Sequence, residues 1–330
     1  MTSGLLDRAL DLTVLPGYSQ LGFALRGLDD ESATAGDLSG RTALVTGGSS
    51  GIGEAACEGL LAAGATVHVL GRDEERVTRA VSGIESRLPQ APGRLVPELC
   101  DISDPAGVQQ FADGFHQRVR SLDVLVHNAG VLTGQRERTA RGLELTFATN
   151  VLGPFLLTRH LLPALRSGAP SRVITVSSGG MYTARLDADD PQLDEREFDG
   201  PAFYAHSKRA EVVLNRLWSE RYAAEGVAFH AMHPGWADTA GLRTSLPHFH
   251  RLLRPLLRDA RQGADTIVWL ATVSALDPRS GGFWHDRAAR PQHRLPRTRE
   301  TAAERERFWV YCERLARLAG RPIGLPSSVT

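Results

Sequence analysis

Thr42-Ala-Leu-Val-Thr-Gly-Gly-Ser-Ser-Gly-Ile-Gly53 runs through three textures in quick succession. Thr42 to Val45 is short, apolar and partly β-branched, the pattern of a buried strand. Thr46-Gly47-Gly48-Ser49-Ser50-Gly51-Ile52-Gly53 follows, and a helical pattern continues from about Gly53 to Ala63. Glycines in such a connection permit positive φ and let a ligand approach the backbone closely. A strand that turns through glycines into a helix aims the unpaired N–H groups of the helix N-terminus at one place, and that place suits a phosphate. The spacing is G-x-x-x-G-x-G rather than G-x-G-x-x-G. Gly47, Ser49, Ser50, Gly51, Ile52 and Gly53 are therefore candidate phosphate-side residues.

The same alternation extends along the chain. Strands are expected at Thr66–Leu70, Arg94–Leu99, Val124–Val126, Arg172–Val176 and Val227–Met232. Helices are expected at about Glu74–Arg87, Pro105–Val119, Leu143–Leu165 and Tyr204–Ala224. Strands alternating with helices imply α/β architecture: a doubly wound, Rossmann-like parallel sheet covered on both faces. The organisation expected is one domain over residues 38–320, an extension over 1–37, and a flexible Pro/Ser/Gly-rich tail over 321–330. In the extension, Leu5, Leu6, Leu10 and Leu12 can share one helix face, with Pro16 and Gly17 ending the helix. Packing on the protein body is the first reading of that face. A weak membrane association is the second, although acidic residues on the polar side count against it.

Composition excludes several classes. At 42% hydrophobic and 23% charged, the chain reads as an ordinary globular protein. Its formal net charge is zero and no basic block stands out, so nucleic acid gains no electrostatic support. Cys57, Cys100 and Cys312 are scattered and form neither a disulfide framework nor a metal cluster, which points to a reducing, cytoplasmic setting. No apolar run approaches the ~18 residues of a membrane span.

Chemistry concentrates in a few places. In Tyr204-Ala-His-Ser-Lys208 a phenol and an ammonium stand four residues apart, on one helix face. A free tyrosine titrates near ~10, and a neighbouring cation lowers that value. Lys208 is the only lysine in a chain with 38 Lys and Arg residues, so arginine was used everywhere else a cation was needed. Arg72, at the end of the second strand, favours a ribose 2′-phosphate, while the adjacent Asp73 would favour a free 2′-hydroxyl. Asp101-Ile102 follows the third strand, where a side chain can reach an adenine or simply cap a turn. Asn128-Ala129-Gly130 and Ser177-Ser178-Gly179-Gly180 close the fourth and fifth strands at the carboxyl edge, where ligands of such sheets bind. Asn150 lies within the long helix. Pro234, Gly235 and Thr239 belong to a turn after the sixth strand. His206 and His233 read as helix-surface and turn residues. Asp187, Asp189 and Asp190 lack the glycine of an EF-hand and read as a solvated loop; no metal site is expected.

Taken together, these residues resemble the short-chain dehydrogenase/reductase family over about Gly40 to Gly282. Thr46–Gly53 matches its TGxxxGIG loop, Asp101 its adenine aspartate, and Asn128-Ala129-Gly130 its NAG strand end. Asn150, Ser178, Tyr204 and Lys208 match its tetrad, and Pro234, Gly235 and Thr239 its later turn. Val176-Ser-Ser-Gly-Gly-Met181, His233-Pro-Gly-Trp-Ala-Asp-Thr239 and Gln262-Gly-Ala-Asp-Thr266 are most similar to the member-12-type and retinol-dehydrogenase-like branches. Two departures are a Ser178-to-Tyr204 insert, about Thr183 to Phe203, and His127 where an asparagine is usual.

The resemblance implies hydride transfer on a nicotinamide cofactor; Arg72 favours NADP(H) over NAD(H), and the leucines after Thr239 favour a small hydrophobic carbonyl or alcohol substrate. Tyr204 would be the proton donor, Lys208 its cation and ribose ligand, Ser178 the hydroxyl on the substrate oxygen, and Asn150 the support of a proton-relay water. Tyr204 and Lys208 thus also count as cofactor-side residues. Leu242, Leu246, Phe249, Leu252, Leu253, Leu256 and Leu257 would form an apolar lid over 240–262, with Met181 and Trp236 adding to the pocket. The family's habit of pairing through the helices at 143–165 and 204–224 implies a homo-oligomer. The alternative is a non-catalytic NADP(H)-binding sensor or interaction protein on the same fold, which turnover would distinguish.

Overall fold

A computed structural model describes residues 4–28, 36–238, 251 and 253–318. Thr239, the expected lid residues 240–250 and Leu252, and the expected tail lie outside them. Strands β1 (Thr42–Thr46), β2 (Thr66–Gly71), β3 (Arg94–Leu99), β4 (Val124–His127), β5 (Ser171–Val176), β6 (Val227–Met232), β7 (Gly282–His285) and β8 (Ala288–Ala289) form one sheet in the order β3-β2-β1-β4-β5-β6-β7-β8. All neighbours are parallel except the β7–β8 hairpin. The order reverses between β1 and β4, and both strands are buried on both faces, as the unbroken apolar runs Ala43-Leu-Val45 and Val124-Leu-Val126 require.

The early helices are α1 (Gly4–Leu12), α2 (Val14–Tyr18) and α3 (Gln20–Leu25). Flanking the first half of the sheet are α4 (Gly51–Ala62), α5 (Glu74–Arg87) and α6 (Pro105–Arg118). Asp73 and Asp104 cap α5 and α6 by accepting from backbone N–H groups of their first turns. The second half carries α7 (Leu145–Phe147), α8 (Gly153–Ser167), α9 (Gly200–Tyr222), α10 (Ala260–Thr272) and α11 (Ala302–Arg317).

Four expectations need correction. Pro16 and Gly17 do not end the first helix: α1 stops at Leu12, and both residues lie within α2. The expected long helix over 143–165 is interrupted by a π-helical turn, Ala148–Leu152, which contains Asn150. The helix carrying Tyr204 begins earlier, at Gly200, capped by the Asp199 carboxylate. Among the described residues after Met232, strands β7 and β8 and helices α10 and α11 are elements that short apolar runs alone did not resolve. Both α10 and α11 begin with reciprocal capping boxes, Asp259/Gln262 and Thr301/Glu304, which are visible in the sequence as D-x-x-Q and T-x-x-E.

The N-terminal helices rest on the body, with Leu10, Tyr18 and Phe23 buried, while Leu6, Leu12, Leu21 and Leu25 are exposed. Among the described residues no helix is long and apolar enough to cross a membrane. Helix α11 lies across α8 and α9. Trp309 packs edge-on against Phe155 and Trp218 at ring separations of 5.1 and 4.7 Å, and Glu306 and Glu313 pair with Arg221 and Arg159. Helix α11 thus covers part of the two helices through which the resemblance implies pairing.

Candidate active site

The glycine-rich turn is shaped by contacts, not by loose chain. Gly47 and Gly51 have φ of +65° and +55°, which only glycine adopts without strain. Gly53 is required for a different reason: a Cβ there would lie 2.2 Å from the Gly47 carbonyl oxygen and 2.4 Å from Asn128 Nδ2. Asn128 staples the turn to β4, its Nδ2 donating to the carbonyls of Thr46 (3.0 Å) and Gly47 (3.2 Å). Thr46 Oγ1 in turn accepts from the backbone N–H groups of Asn128 and Ala129 at 3.0 and 3.1 Å. The result is an open cradle at the N-terminus of α4, with Ser50 and Gly51 exposed and Ile52 buried beneath. With glycines packed tightly behind it and open space at Gly51, this helix N-terminus fits the pyrophosphate of a dinucleotide.

Around the cradle, Arg72 is exposed at the carboxyl end of β2, and Ser49 Oγ lies close to Gly71 beside it. Asp73, the residue that argued for a free 2′-hydroxyl, instead uses its carboxylate to cap α5, accepting from Arg76 N at 3.0 Å. Asp101 is exposed, and its Oδ1 accepts from Ser103 N (2.9 Å) and Ser103 Oγ (2.7 Å), so it forms a turn as well as facing outward. Ile102 is buried, with its carbonyl close against Gly153. Pro234 and Gly235 lie against Arg258, with Gly235 at φ +76° and close to the Tyr18 carbonyl, while Ala237 and Ile52 of α4 both approach Gly263.

Four separate elements bring the remaining side chains together. The Lys208 Nζ donates to the Val176 carbonyl at the end of β5 (3.0 Å) and to Glu211 Oε1 (2.7 Å), and it lies 5.5 Å from the centre of the Tyr204 ring. Asn150 Oδ1 accepts from Val131 N (2.8 Å), while its Nδ2 donates to Val131 O (3.0 Å) and Ser207 Oγ (2.9 Å). A Cβ on Gly130 would sit 3.3 Å from Lys208 Nζ and 3.4 Å from Asn150 Oδ1, so Gly130 is the small residue around which both converge. π-turns inside α-helices often occur at functional sites, and here one aims Asn150 at this point.

The two serines have different surroundings. Ser177 is buried and its Oγ donates to the Lys208 carbonyl at 2.8 Å. Ser178 is half-buried; its Oγ accepts from Gly180 N at 3.2 Å, and Gly180 in turn approaches Ala205 of α9. The Ser177 hydroxyl is thus taken by the Lys208 carbonyl, whereas Ser178 stands half-buried at the start of the turn Gly179–Thr183.

Burial would by itself push the Lys208 ammonium down, but the Glu211 carboxylate and the Tyr204 oxygen hold it above its ordinary value. Glu211 moves the other way: burial pushes its carboxyl up to about 7, against the pull of Lys208 and the Ser177 hydroxyl. Sequence reasoning missed Glu211. Its signal was the spacing Tyr204, Lys208, Glu211, which keeps all three on one helix face.

Other expectations resolve more simply. His206 is buried rather than on the helix surface, and its Nε2 accepts from Asp187 N at 3.0 Å, tying the insert to α9. His233 is buried, stacked 3.8 Å from His285. His127 is buried against Thr158 Oγ1 (2.7 Å), and burial pushes it down to about 3. Asp187 and Asp190 accept from backbone N–H groups of their own loop, and no metal-binding cluster occurs among the described residues. Met181 is fully buried with Val212, Ala231 and Phe283 instead of lining a pocket.

The N-terminal segment reaches this site, which the sequence did not foretell. The Tyr18 ring lies against Gly179, next to Ser178, and meets His233 at 4.5 Å. Tyr18 O accepts from Trp236 N at 2.8 Å. Beneath it, Arg258 donates to Gly17 O, Ser19 O and Pro234 O, and both Arg258 and Arg26 pair with the buried Asp286.

A family model described as short chain dehydrogenase matches residues 41–188. The chain is 43% identical to dehydrogenase/reductase SDR family member 12 of Bos taurus over 282 residues, covering 84% of this chain and 87% of that protein. It is 34% identical to human retinol dehydrogenase 12 over 281 residues, again 84% of this chain and 87% of that protein. Among solved structures, an uncharacterised Mycobacterium paratuberculosis protein superposes with TM-score 0.68 at 26% identity, covering 88% of this chain and 97% of that one. A short chain dehydrogenase from Burkholderia cenocepacia in complex with NADP gives 0.59 at 25% identity, covering 74% of this chain and 96% of that one. The chain belongs to the short-chain dehydrogenase/reductase family of oxidoreductases. Within that family it is similar to the member-12 and retinol-dehydrogenase branches.

Proposed function

We propose that this protein is an NADP(H)-dependent oxidoreductase that interconverts an apolar carbonyl compound and its alcohol, with Asn150, Ser178, Tyr204 and Lys208 as its working side chains. The observation that carries the reading is the convergence of Lys208 Nζ and Asn150 Oδ1 around Gly130, with the Tyr204 ring 5.5 Å from the same ammonium. A bound nicotinamide supplies the hydride in reduction and takes it up in oxidation. The chain's own groups manage the proton. Tyr204 gives its phenolic proton to the carbonyl oxygen as the alcohol forms, or takes it back in the reverse direction. Lys208 favours the phenolate that is left. Ser178 donates to the same substrate oxygen, where negative charge develops. Asn150 locks the Gly130–Val131 backbone beside Lys208.

Two observations support the phosphorylated cofactor: Arg72 is exposed at the end of β2, and Asp73 is engaged as a helix cap. A solved relative holds NADP. An apolar substrate is supported by the leucine-rich lid expected over 240–262 and by the name of a relative, retinol dehydrogenase 12. The test is a screen of aldehydes, ketones and alcohols that follows NADPH absorbance. Tyr204→Phe is expected to bind NADPH as the native chain does and to lose turnover. Native turnover by Tyr204→Phe on a verified substrate would sink the mechanism.

A further inference from the structure

Glu211 is the one feature of the site that the proton-transfer scheme leaves unused. Its side chain is 3% exposed, three residues after Lys208 on α9, and its Oε1 accepts the Lys208 ammonium at 2.7 Å. Its Oε2 is buried and has no hydrogen-bond partner among the described residues. Charged groups are costly to bury unless paired. A buried ammonium without a counter-charge loses its proton readily, and a lysine without its proton can neither favour a phenolate nor donate to a ribose.

We propose that Glu211 is a positioning residue for the proton-transfer pair: its carboxylate is the buried counter-ion that keeps Lys208 charged and clamps the ammonium on the Val176 carbonyl, beneath the Tyr204 ring. The three donors of the ammonium are then divided. One goes to Glu211 and one to Val176, leaving the third for the cofactor side. Glu211 was placed where it can do this by helical geometry alone, since residues three apart are neighbours on one face.

The surroundings isolate the pair. Among the described residues, the charged group acting on Glu211 is Lys208, and the hydroxyl acting on it is Ser177 at the end of β5. Those acting on Lys208 are Glu211 and Tyr204. The turn Gly179–Thr183 also packs on α9 and brings Tyr182, and β6 packs there through the apolar Phe229 and Ala231; none of these acts on Glu211. From the π turn comes Asn150, which is uncharged.

This inference rests on the role proposed for Lys208, but its test needs no substrate. Because Lys208 is the only lysine, the full chain grown with 13C-lysine has a single lysine Cε resonance. In the native protein that signal is expected to stay at its ammonium position past the ordinary lysine value of about 10.4. Glu211→Gln keeps the shape and one acceptor and removes the charge. In that variant the signal is expected to titrate at least about one pH unit lower, tenfold in the charged fraction. NADPH affinity is expected to fall off at lower pH than in the native chain, and Glu211→Asp is expected to lie between. Equal titration of Lys208 in native and Glu211→Gln proteins would overturn the proposal. If the variant does not fold, the native protein decides: a Lys208 signal that titrates below about 10.4 would overturn it as well. A failed substrate screen would leave both readouts standing, so the two readings fail separately.

Discussion

Replacing Asp286 by Asn tests the idea that buried charge ties the N-terminal helices to the catalytic face. Asp286 sits in the β7–β8 turn with φ +53°, and Arg287 follows at +57°, a pair of left-handed residues suited to a two-residue hairpin. Asparagine tolerates that conformation, so the exchange removes charge without adding backbone strain. The Asp286 side chain is 1% exposed and accepts from Arg258 at 2.5 and 2.8 Å and from Arg26 at 2.7 Å. Arg26 retains Asp7 as a partner at 2.8 Å, whereas Asp286 is the carboxylate that Arg258 pairs with among the described residues. Removing one side of a buried pair costs about 3–5 kcal/mol. With an unfolding entropy of about 2.1 cal/mol/K per residue, 330 residues give about 0.7 kcal/mol/K, so the melting temperature should drop by about 4–7 °C. Circular dichroism melts of the native and Asp286→Asn proteins at pH 7.5 measure it. Amide exchange should speed up over residues 4–26, because Arg258 loses the carboxylate that orients it toward Gly17 O and Ser19 O. Combining the change with Arg258→Met should recover part of the loss by removing the unpaired cation. A drop under about 1 °C would refute the reasoning.

Three further outcomes follow from the geometry. Gly53→Ala should weaken NADPH binding roughly 5- to 150-fold, the equivalent of about 1–3 kcal/mol of overpacking, because its Cβ would strike the Gly47 carbonyl; fluorescence titration gives the affinity, and unchanged binding would dissolve the cradle. Stability should fall in mild acid. Burial holds His127 at about 3, His206 and His230 at about 4, and His233 and His285 well below the usual range. The unfolded chain takes up those protons near ~6.5 and the folded chain does not, so this stability is complete above ~7 and is lost as pH falls toward 4, at up to ~1.4 kcal/mol per pH unit per histidine. Glu211, raised to about 7, works in the opposite direction and offsets roughly one of them; urea midpoints at pH 7.5, 6 and 5 check the slope, and a flat series contradicts it. Finally, with α11 covering α8 and α9, light scattering should find a 35.8 kDa monomer, and Trp309→Ala should expose that face and promote association. A native dimer whose α11 remains protected from exchange would contradict this.

Much of the fold was legible because it is written in short-range pattern. Strands β1 to β6 fall within a residue or two of the apolar runs that announced them, since the two-residue period of a strand and the 3.6-residue period of a helix are local properties. The order of strand, glycine turn and helix determined the parallel sheet and the place of the phosphate cradle. The Tyr204–Lys208 pair was legible for the same reason, being one turn of one helix.

What the sequence could not decide depends on segments far apart in the chain. The local pattern over 143–165 reads as one continuous helix, and only the packed structure introduces the π turn that points Asn150 at Gly130 and Lys208. The resemblance chose Ser178 over Ser177 by order within the pair; that the Lys208 carbonyl, 31 residues away, captures the Ser177 hydroxyl is visible only in the fold. Residues 4–26 gave no sign of touching Gly179 and Trp236, because that docking is made by Arg258 and Asp286 from the other end of the chain. Spacing set Tyr204, Lys208 and Glu211 on one face of α9, but spacing could not say whether that face meets water. Tertiary burial decided it, and burial is what turns an ordinary i, i+3 charge pair into a counter-ion for the site.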